Sequence, residues 1–375
     1  MTGHHQPDYR LNVDGQDITS KLGARLIELR LRECRGGEAD TLEITLDDAD
    51  RRMAIPPKGA RIALTLGWAG GAMYDKGEFV VDEVDHSGSP DRLTIHARAA
   101  DMGRSLNLRA SNSYHETTLG QIVREVAARG GLPAHIDPEL DARPVEHVDQ
   151  TGESDLNFIN RLARQHDAVC SIKKGRLVFL RTDSRTTASG AAISAIEITR
   201  QDGDQHRWHS AERSAYGGIR ARWHSKRRAQ TMSGRVGGGR TKTLKDTYAS
   251  RADARRAARA ELRRVQRGAA TFSLTLALAR PEIMPQSAVT VSGFKPEIDG
   301  EGWLVVSVEH SLGDGGFTTR IEMELQGSAP DGDAPPPADE TDPGPGDATG
   351  DLATEGEPNE QWSKDGGDDY APLDD

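Results

Sequence analysis

The chain has 375 residues, 35% of them hydrophobic and 5% aromatic, which suits two or three domains with small separate cores. No run of about 18 apolar residues occurs, which argues against a membrane-spanning helix, and the first residues lack the pattern of a secretory signal. Cys34 and Cys170 lie far apart in sequence, which argues against a disulfide scaffold or a cysteine-based zinc site. We therefore expect the chain to mature in a reducing compartment.

The net charge of −11 belongs to the end of the chain. Residues 331–375 contain 15 Asp and Glu and one Lys, whereas the preceding 330 residues hold 47 Lys and Arg against 44 Asp and Glu. The segment is rich in Pro and Gly and almost lacks apolar residues, so it cannot recover the entropy lost on ordering. We expect residues 329–375 to be a disordered acidic tail that solubilises the chain. The alternatives are a lure for a basic partner or a mask over a basic surface.

Residues 8–104 are predicted to form a small β-domain. Residues 26–32 and 41–46 alternate apolar and polar side chains, which is the pattern of half-buried strands. Clusters of Pro and Gly separate further strands. Five or six short strands at this spacing are typical of a small barrel or sandwich.

Residues 105–182 change to helical periodicity and predict an α+β middle module. Thr118 and Gln121 form a capping-box pattern before an apolar stripe that ends at a Gly-Gly pair. A second helix is predicted to begin at Ser154 or Asp155. A hairpin with its turn at Lys174-Gly175 follows.

Residues 185–328 are predicted to form a second β-domain that follows a linker. Its loop at 235–240 is rich in Gly but lacks the Lys-Ser/Thr of a phosphate-binding loop. Residues 248–267 predict a helix with one apolar side, and seven arginines cover the rest of its surface. We interpret these arginines as a solvated face; a basic surface that contacts a neighbouring subunit or another protein is the alternative. Nucleic-acid binding is disfavoured because no aromatic residues are interleaved to stack on bases.

Part of the first β-domain recurs in the second. Residues 77–87 align without gaps with residues 301–311, and the identities are Val81 with Val305, Val84 with Val308, His86 with His310, and Ser87 with Ser311. In both copies a short turn and an alternating strand follow, and a turn with a short strand precedes. We therefore predict one β-domain used twice, with the two histidines in the same structural place.

The sequence contains no recognisable catalytic constellation. No nucleophile-elbow motif occurs. Asp82 and Glu83 are adjacent on a predicted strand and face opposite sides, which does not suit a glycosidase pair. His206 and His209 form a close pair without a third ligand at suitable spacing, so we interpret them as surface residues. We therefore predict no enzyme, with no catalytic, cofactor-binding or metal-binding residues and no cofactor.

Three blocks resemble one known family. They are the run that begins Thr151-Gly-Glu-Ser-Asp-Leu-Asn-Phe with Lys174-Gly-Arg-Leu-Val-Phe, the run Gly77-Glu-Phe-Val-Val-Asp-Glu-Val with the strand from Leu93, and Gly293-Phe-Lys-Pro-Glu-Ile-Asp-Gly with Trp303-Leu-Val. Taken in chain order, the three blocks resemble the phage late control gene D proteins, over about residues 8–326. Asn157 departs from the acidic residue expected in the first block, and the acidic tail matches nothing in the family.

The resemblance implies a baseplate hub of a contractile phage tail, or of a phage-derived injection machine, assembled in the host bacterial cytoplasm and located in the virion. It implies two tail-tube-like barrels per chain, so that a homotrimer can adapt a six-fold tail tube to a three-fold central spike. The implied partners are the spike protein, the tube protein, and also the tape-measure protein and other baseplate proteins, with no membrane segment and no specific nucleic acid. The alternative functions are a tail-associated cell-wall hydrolase and a DNA-binding regulator, which would need a paired acid and nucleophile or a basic groove with salt-dependent binding.

Deleting residues 331–375 tests the predicted tail. We expect the free energy of unfolding to change by less than about 0.5 kcal/mol, because the segment has no packed core to lose. Thermal or denaturant unfolding of the full-length and shortened chains measures this difference. A large drop in the melting temperature would show that the tail docks on the folded part.

Overall fold

The computed structural model describes residues 6–99, 104–184, 193–211, 216–225 and 229–327. The predicted tail at 329–375 and most of the predicted linker before the second β-domain lie outside these residues. The larger of two compact units takes in the described residues up to 211 and those from 264 to 326, and the smaller takes in 216–263.

The first β region alternates apolar and polar residues along most of its strands, as predicted. Its elements in chain order are β1 (Pro7–Val13), β2 (Gln16–Asp17), α1 (Thr19–Leu22), β3 (Leu26–Cys34), β4 (Thr41–Asp47), β5 (Arg61–Trp68), β6 (Met73–Ser87) and β7 (Arg92–Ala99). On β4 the inward residues Leu42, Ile44 and Leu46 are buried, and they belong to one core cluster with residues of the other strands.

The middle of the chain folds as an α+β module with its own core cluster. Its elements are β8 (Arg109–Thr118), α2 (Leu119–Arg129), β9 (Ala134–Ile136), α3 (Pro138–Asp141), β10 (Pro144–Ser154), α4 (Asp155–Gln165), β11 (Ala168–Lys173) and β12 (Arg176–Arg181). The predicted helix starts are confirmed, because the Thr118 side chain accepts a hydrogen bond from the Gln121 amide and Ser154 does the same for Asn157. The predicted hairpin is β11 with β12.

The rest of the described chain contains a second β region and the elements of the smaller unit. In chain order they are β13 (Ile196–Thr199), β14 (Gly203–Ser210), β15 (Gly218–Ser225), β16 (Gln230–Gly237), β17 (Thr241–Tyr248), α5 (Arg251–Arg267), β18 (Ala270–Leu276), β19 (Ala288–Ser292), α6 (Pro296–Asp299), β20 (Gly302–Gly313) and β21 (Gly316–Leu325). The smaller unit has a sheet in the order β16-β15-β17. The loop predicted at 235–240 is partly wrong, since β16 continues to Gly237 and buries Val236.

The two β regions have the same strand order. The first pairs its strands as β1-β5-β6-β7-β4-β3, and the second as β13-β19-β20-β21-β18-β14. The predicted place of the two histidines is confirmed: His86 pairs with Leu93 on β7, and His310 with Thr319 on β21. One difference is that β1 is antiparallel to its neighbour, whereas β13 is parallel.

The two hairpins share even their irregularity. The register between β6 and β7 shifts between Val81 and Glu83, and that between β20 and β21 shifts between Val305 and Ser307, which are the aligned residues. A bulge inserts one unpaired residue and increases the local twist of the strand. The same bulge at the same aligned position strengthens the prediction of a duplicated unit.

The predicted closed barrels are wrong, because the two β regions join into one open sheet of 13 strands. Residues 28–34 of β3 pair antiparallel with residues 307–313 of β20, and we call this pairing the β3–β20 junction. Along the described sheet the main path ends at β14 on one side and at β2 on the other. Alternation along a strand predicts which face is buried but not which strand lies alongside, so the sequence could not show that the regions share a sheet.

A buried charged cluster lies at the β3–β20 junction. Lys76 Nζ on β6 donates to Glu33 Oε2 on β3 at 2.7 Å, and His310 Nε2 on β20 lies 3.6 Å from the same oxygen. His310 is fully buried, its Nδ1 lies 2.8 Å from Thr319 Oγ1, and its Nε2 has no hydrogen-bond partner among the described residues. The cluster therefore holds one carboxylate between an ammonium group and an imidazole with little access to water.

Burial and charge act in opposite directions on Glu33 and in the same direction on His310. Burial would raise the pKa of Glu33, but Lys76 and His310 outweigh it and hold that pKa well below its usual range. Burial, together with the nearby Lys76 charge, lowers the pKa of His310 to about 4. At neutral pH the cluster is thus a Lys–Glu ion pair beside a neutral histidine.

This arrangement predicts a loss of stability in mild acid. Since the folded pKa of His310 lies below its ordinary value of 6.5, the unfolded chain binds this proton first as the pH falls. The free energy of unfolding should therefore decrease between pH 6.5 and pH 4, by about 3 kcal/mol from this group. The Glu33 contribution is lost at lower pH, as its carboxylate becomes protonated.

Urea unfolding at several pH values of wild type and His310→Gln measures this slope. We expect the variant to be flatter between pH 6.5 and pH 4, whatever its absolute stability. His86→Gln is the matched control, because His86 occupies the equivalent strand position but 40% of its side chain is exposed. An equal slope in wild type and His310→Gln would contradict the assignment.

Candidate assembly interface

The strand β3 of the first region is paired along both of its edges. On one side it pairs with β4, and on the other with β20 through the β3–β20 junction. Its inward residues Leu29 and Leu31 are completely buried in the first core cluster. A strand at this position is thus covered on both edges when a partner is present.

The equivalent strand in the second region, β14, has no such partner among the described residues. Along the described chain β14 pairs with β18 alone and ends the main path of the sheet. Almost all of its residues are exposed, and Trp208 is 41% exposed although Trp is usually well buried. An uncovered strand edge that carries a large apolar side chain is a surface for strand pairing.

A second open edge lies on β6. This strand pairs with β5 over residues 73–80, whereas over residues 83–87 its only strand neighbour in the described chain is β7. The matching part of β20 is covered by β3 in the β3–β20 junction. Glu83, Asp85 and Ser87 are exposed, and Val84 is half-buried. In the described chain, β3 and β20 are paired with each other, whereas their counterparts β14 and residues 83–87 of β6 each have one edge without a strand neighbour.

The two histidines of the sequence motif lie on β14. His206 contacts the rings of Phe272 and Phe294, with centroids 6.3 Å and 5.2 Å away, whereas His209 is three residues along the strand and therefore faces the opposite side. This geometry prevents both imidazoles from holding one ion. Within the described residues no group of three His, Cys, Asp or Glu side chains could hold a metal.

The prediction that Asp82 and Glu83 on β6 face opposite sides is wrong, because the bulge interrupts the alternation of the strand there. Asp82 occupies the bulge and accepts from Arg98 Nε at 2.7 Å, while Glu83 is in register with His96 on β7. Arg98 and His96 are two residues apart on β7 and share a face, so both carboxylates project from one exposed face of the sheet, where Asp82 is held in its ion pair with Arg98.

A histidine pair that sequence reasoning missed lies on the sheet of β8 and β10. His115 and His147 are directly opposite each other, with their Nδ1 atoms 3.1 Å apart, and His147 Nε2 lies 3.1 Å from Asp149 Oδ2. The Ser113 hydroxyl donates to Asp149, and this bond, with the nearby histidines, lowers the pKa of Asp149. No local motif joins residues this far apart in sequence, so only strand register could reveal them.

The arginines of α5 are only partly the solvated face that we expected. Arg267, near the helix end, is buried, and its Nη2 donates to Asp167 Oδ1 at 2.5 Å while its Nε lies 3.2 Å from Glu324 Oε1. The buried position lets one guanidinium bind two carboxylates, which an arginine can do through its planar fork of donors. In the smaller unit, Arg256 pairs with Asp253 within the helix.

Among the described residues no helix has the length and apolar character needed to cross a membrane. A family model for the phage tail baseplate hub (GPD) matches residues 40–316. Two phage proteins, each called "Probable baseplate hub protein", are similar over most of the chain. That of Escherichia phage 186 is 40% identical over 362 residues, and that of Escherichia phage P2 is 39% identical over 363; each alignment covers 85% of this chain and 93% of the relative.

Solved structures share the fold at lower identity. The 43 kDa tail protein of prophage MuSo2 from Shewanella oneidensis is 18% identical with a TM-score of 0.62, covering 85% of this chain and 98% of that one. A tail protein from Neisseria meningitidis MC58 is 12% identical with a TM-score of 0.64, covering 85% and 97%. The E. coli c3393 protein, described as a type VI secretion component similar to the T4 tail proteins gp27 and gp5, is 16% identical with a TM-score of 0.54, covering 87% and 79%.

The family match spans most of the chain, and both phage relatives are similar along nearly their whole length. The chain therefore belongs to the phage tail baseplate hub family and is a structural component of the tail.

Proposed function

We propose that the hub is a homotrimer in which the two β regions of each chain supply six similar units around a central channel. The observation that supports this most is the duplication itself, with its shared strand order and shared bulge. Three chains with two units each give six positions, which matches a six-fold tube on one side and a three-fold spike on the other. Closed cyclic assemblies are the ordinary form of such oligomers.

The partners follow from this geometry. The six-unit face contacts the tail tube protein of a contractile tail or related injection machine, and the three-fold face contacts the central spike protein. The tape-measure protein and other baseplate proteins are further partners, and assembly takes place in the host bacterial cytoplasm. The middle module at 105–182 occurs once per chain, so it lies outside the ring, where it does not interrupt the six-fold arrangement. The segments at 8–104 and 185–328 are the two ring domains.

Mass measurement of the purified full-length chain, combined with negative-stain imaging, tests the trimer. Three chains of 40.7 kDa give about 122 kDa, and we expect that mass together with ring-shaped particles. The tail-deleted chain serves as a control that the acidic segment does not drive association. A stable dimer, tetramer or hexamer, or a solid particle without a channel, would contradict the proposal.

A further inference from the structure

We propose that the open edge of β14 in one chain pairs antiparallel with residues 83–87 of β6 in a second copy. This pairing would repeat between chains the β3–β20 junction within each chain. The inference deepens the proposed function and rests on it, since it states which surfaces join the subunits and in which register.

The equivalent residues of the two regions follow from their strand registers. On β4, residues 41–46 pair with β7, and on β18, residues 271–276 pair with β21 in the equivalent register. Leu42 therefore corresponds to Phe272. Leu31 on β3 is opposite Leu42, and Trp208 on β14 is opposite Phe272. Trp208 therefore stands where Leu31 stands in the first region.

The same registers locate the neighbouring residues. Arg32 and Arg30 on β3 are opposite Thr41 and Glu43, and their counterparts on β14 are His209 and Arg207, opposite Thr271 and Ser273. The outward-facing side of β14 is thus basic, like that of β3. The counterpart of Leu29 falls at an irregularity in β14, where the register shifts between Asp204 and Arg207.

The β3–β20 junction then supplies the register between chains. Within the chain His310 is opposite Leu31, Glu309 is opposite Arg32, and Ser311 is opposite Arg30. Replacing each by its counterpart puts Trp208 opposite His86, His209 opposite Asp85, and Arg207 opposite Ser87. An acidic residue thus faces a basic one in the same place at both pairings.

Exposure of the side chains agrees with this register. Leu31 is completely buried under the β3–β20 junction, whereas Trp208 at the matching position is 41% exposed. His310 is likewise completely buried, whereas 40% of the His86 side chain is exposed. Each difference is what removal of one covering strand produces. A neighbouring chain would bury Trp208 against Val84 and His86 and would pair two rows of backbone groups that have no strand partner in the described chain.

A second copy fits as the partner, because each chain carries both edges and six strands lie between them along the sheet. Six strands separate β14 from β6 along the sheet, in the order β18, β21, β20, β3, β4 and β7. The seven spacings that result, at about 4.8 Å each, amount to about 34 Å along the sheet. Each chain therefore carries both pairing surfaces, the edge of β14 and the edge of residues 83–87 of β6. When the same contact is repeated from chain to chain, the chains close into a ring if the rotation between neighbours divides a full turn.

Disulfide trapping tests the register in the full-length protein. The double variant Asp85→Cys with His209→Cys should form disulfides between chains, because residues directly opposite on antiparallel strands have Cβ atoms about 5 Å apart. The variant Glu83→Cys with Arg207→Cys is the matched control, on the same strands and faces but out of register. Cys34 and Cys170 are buried, so they should not interfere.

We expect the in-register variant to give covalent dimers and trimers on a non-reducing gel, at least ten times more than the control. A trimeric mass without in-register cross-links would overturn the edge pairing but leave the trimer intact. Cross-links that continue beyond three chains would support the pairing and contradict the trimer. A chain that stays monomeric and does not cross-link would contradict both.

A second variant tests the same surface without added cysteines. Trp208→Glu should abolish association while leaving the circular dichroism spectrum of the chain unchanged, because the side chain is partly exposed in the single chain. Leu278→Glu is the control, since Leu278 is 52% exposed and lies outside β14 and β6. Equal association of both variants with that of wild type would overturn the pairing.

Discussion

The β3–β20 junction is the interaction on which the rest of this hub structure depends. It makes one sheet from two copies of the same β region, since β20 of the second region covers the edge of β3 in the first. The first core cluster accordingly includes Leu312 and Phe317 from the second region, and Trp68 donates from Nε1 to the Ala279 carbonyl at 2.9 Å. The two copies are therefore one folding unit despite their separation in sequence.

The junction also determines where charge is buried and how the middle module is attached. Glu33, Lys76 and His310 meet beneath it, and Asp40 close by pairs with Lys173 of the module. Gly36 has a φ of +65°, and a Cβ there would lie 2.4 Å from the Cys170 carbonyl oxygen, so a larger residue would push the module away. Ion pairs and a close backbone approach thus fix the module beside the first region, which is consistent with a rigid hub.

The sequence predicted the local structure well, because local structure depends on patterns that neighbouring residues carry. The caps at Thr118 and Ser154, the alternation along β4 and the repeat around His86 and His310 are examples. The sequence repeat does not extend to β3 and β4, and their counterparts β14 and β18 emerge only from the strand order, since the insertion that separates β14 from β18 removes any constant spacing. The β3–β20 junction and the His115–His147 pair were missed because each depends on register between strands distant in sequence. Closed barrels were wrong for the same reason.

A cryo-electron microscopy reconstruction of the purified full-length hub would show whether the strand pairing within one chain is repeated between chains. We expect three chains around a channel, with density continuous from β14 of each chain to residues 83–87 of the next and with the Trp208 side chain enclosed between them. A reconstruction in which β14 remains uncovered, or in which the subunits meet through other surfaces, would contradict this expectation.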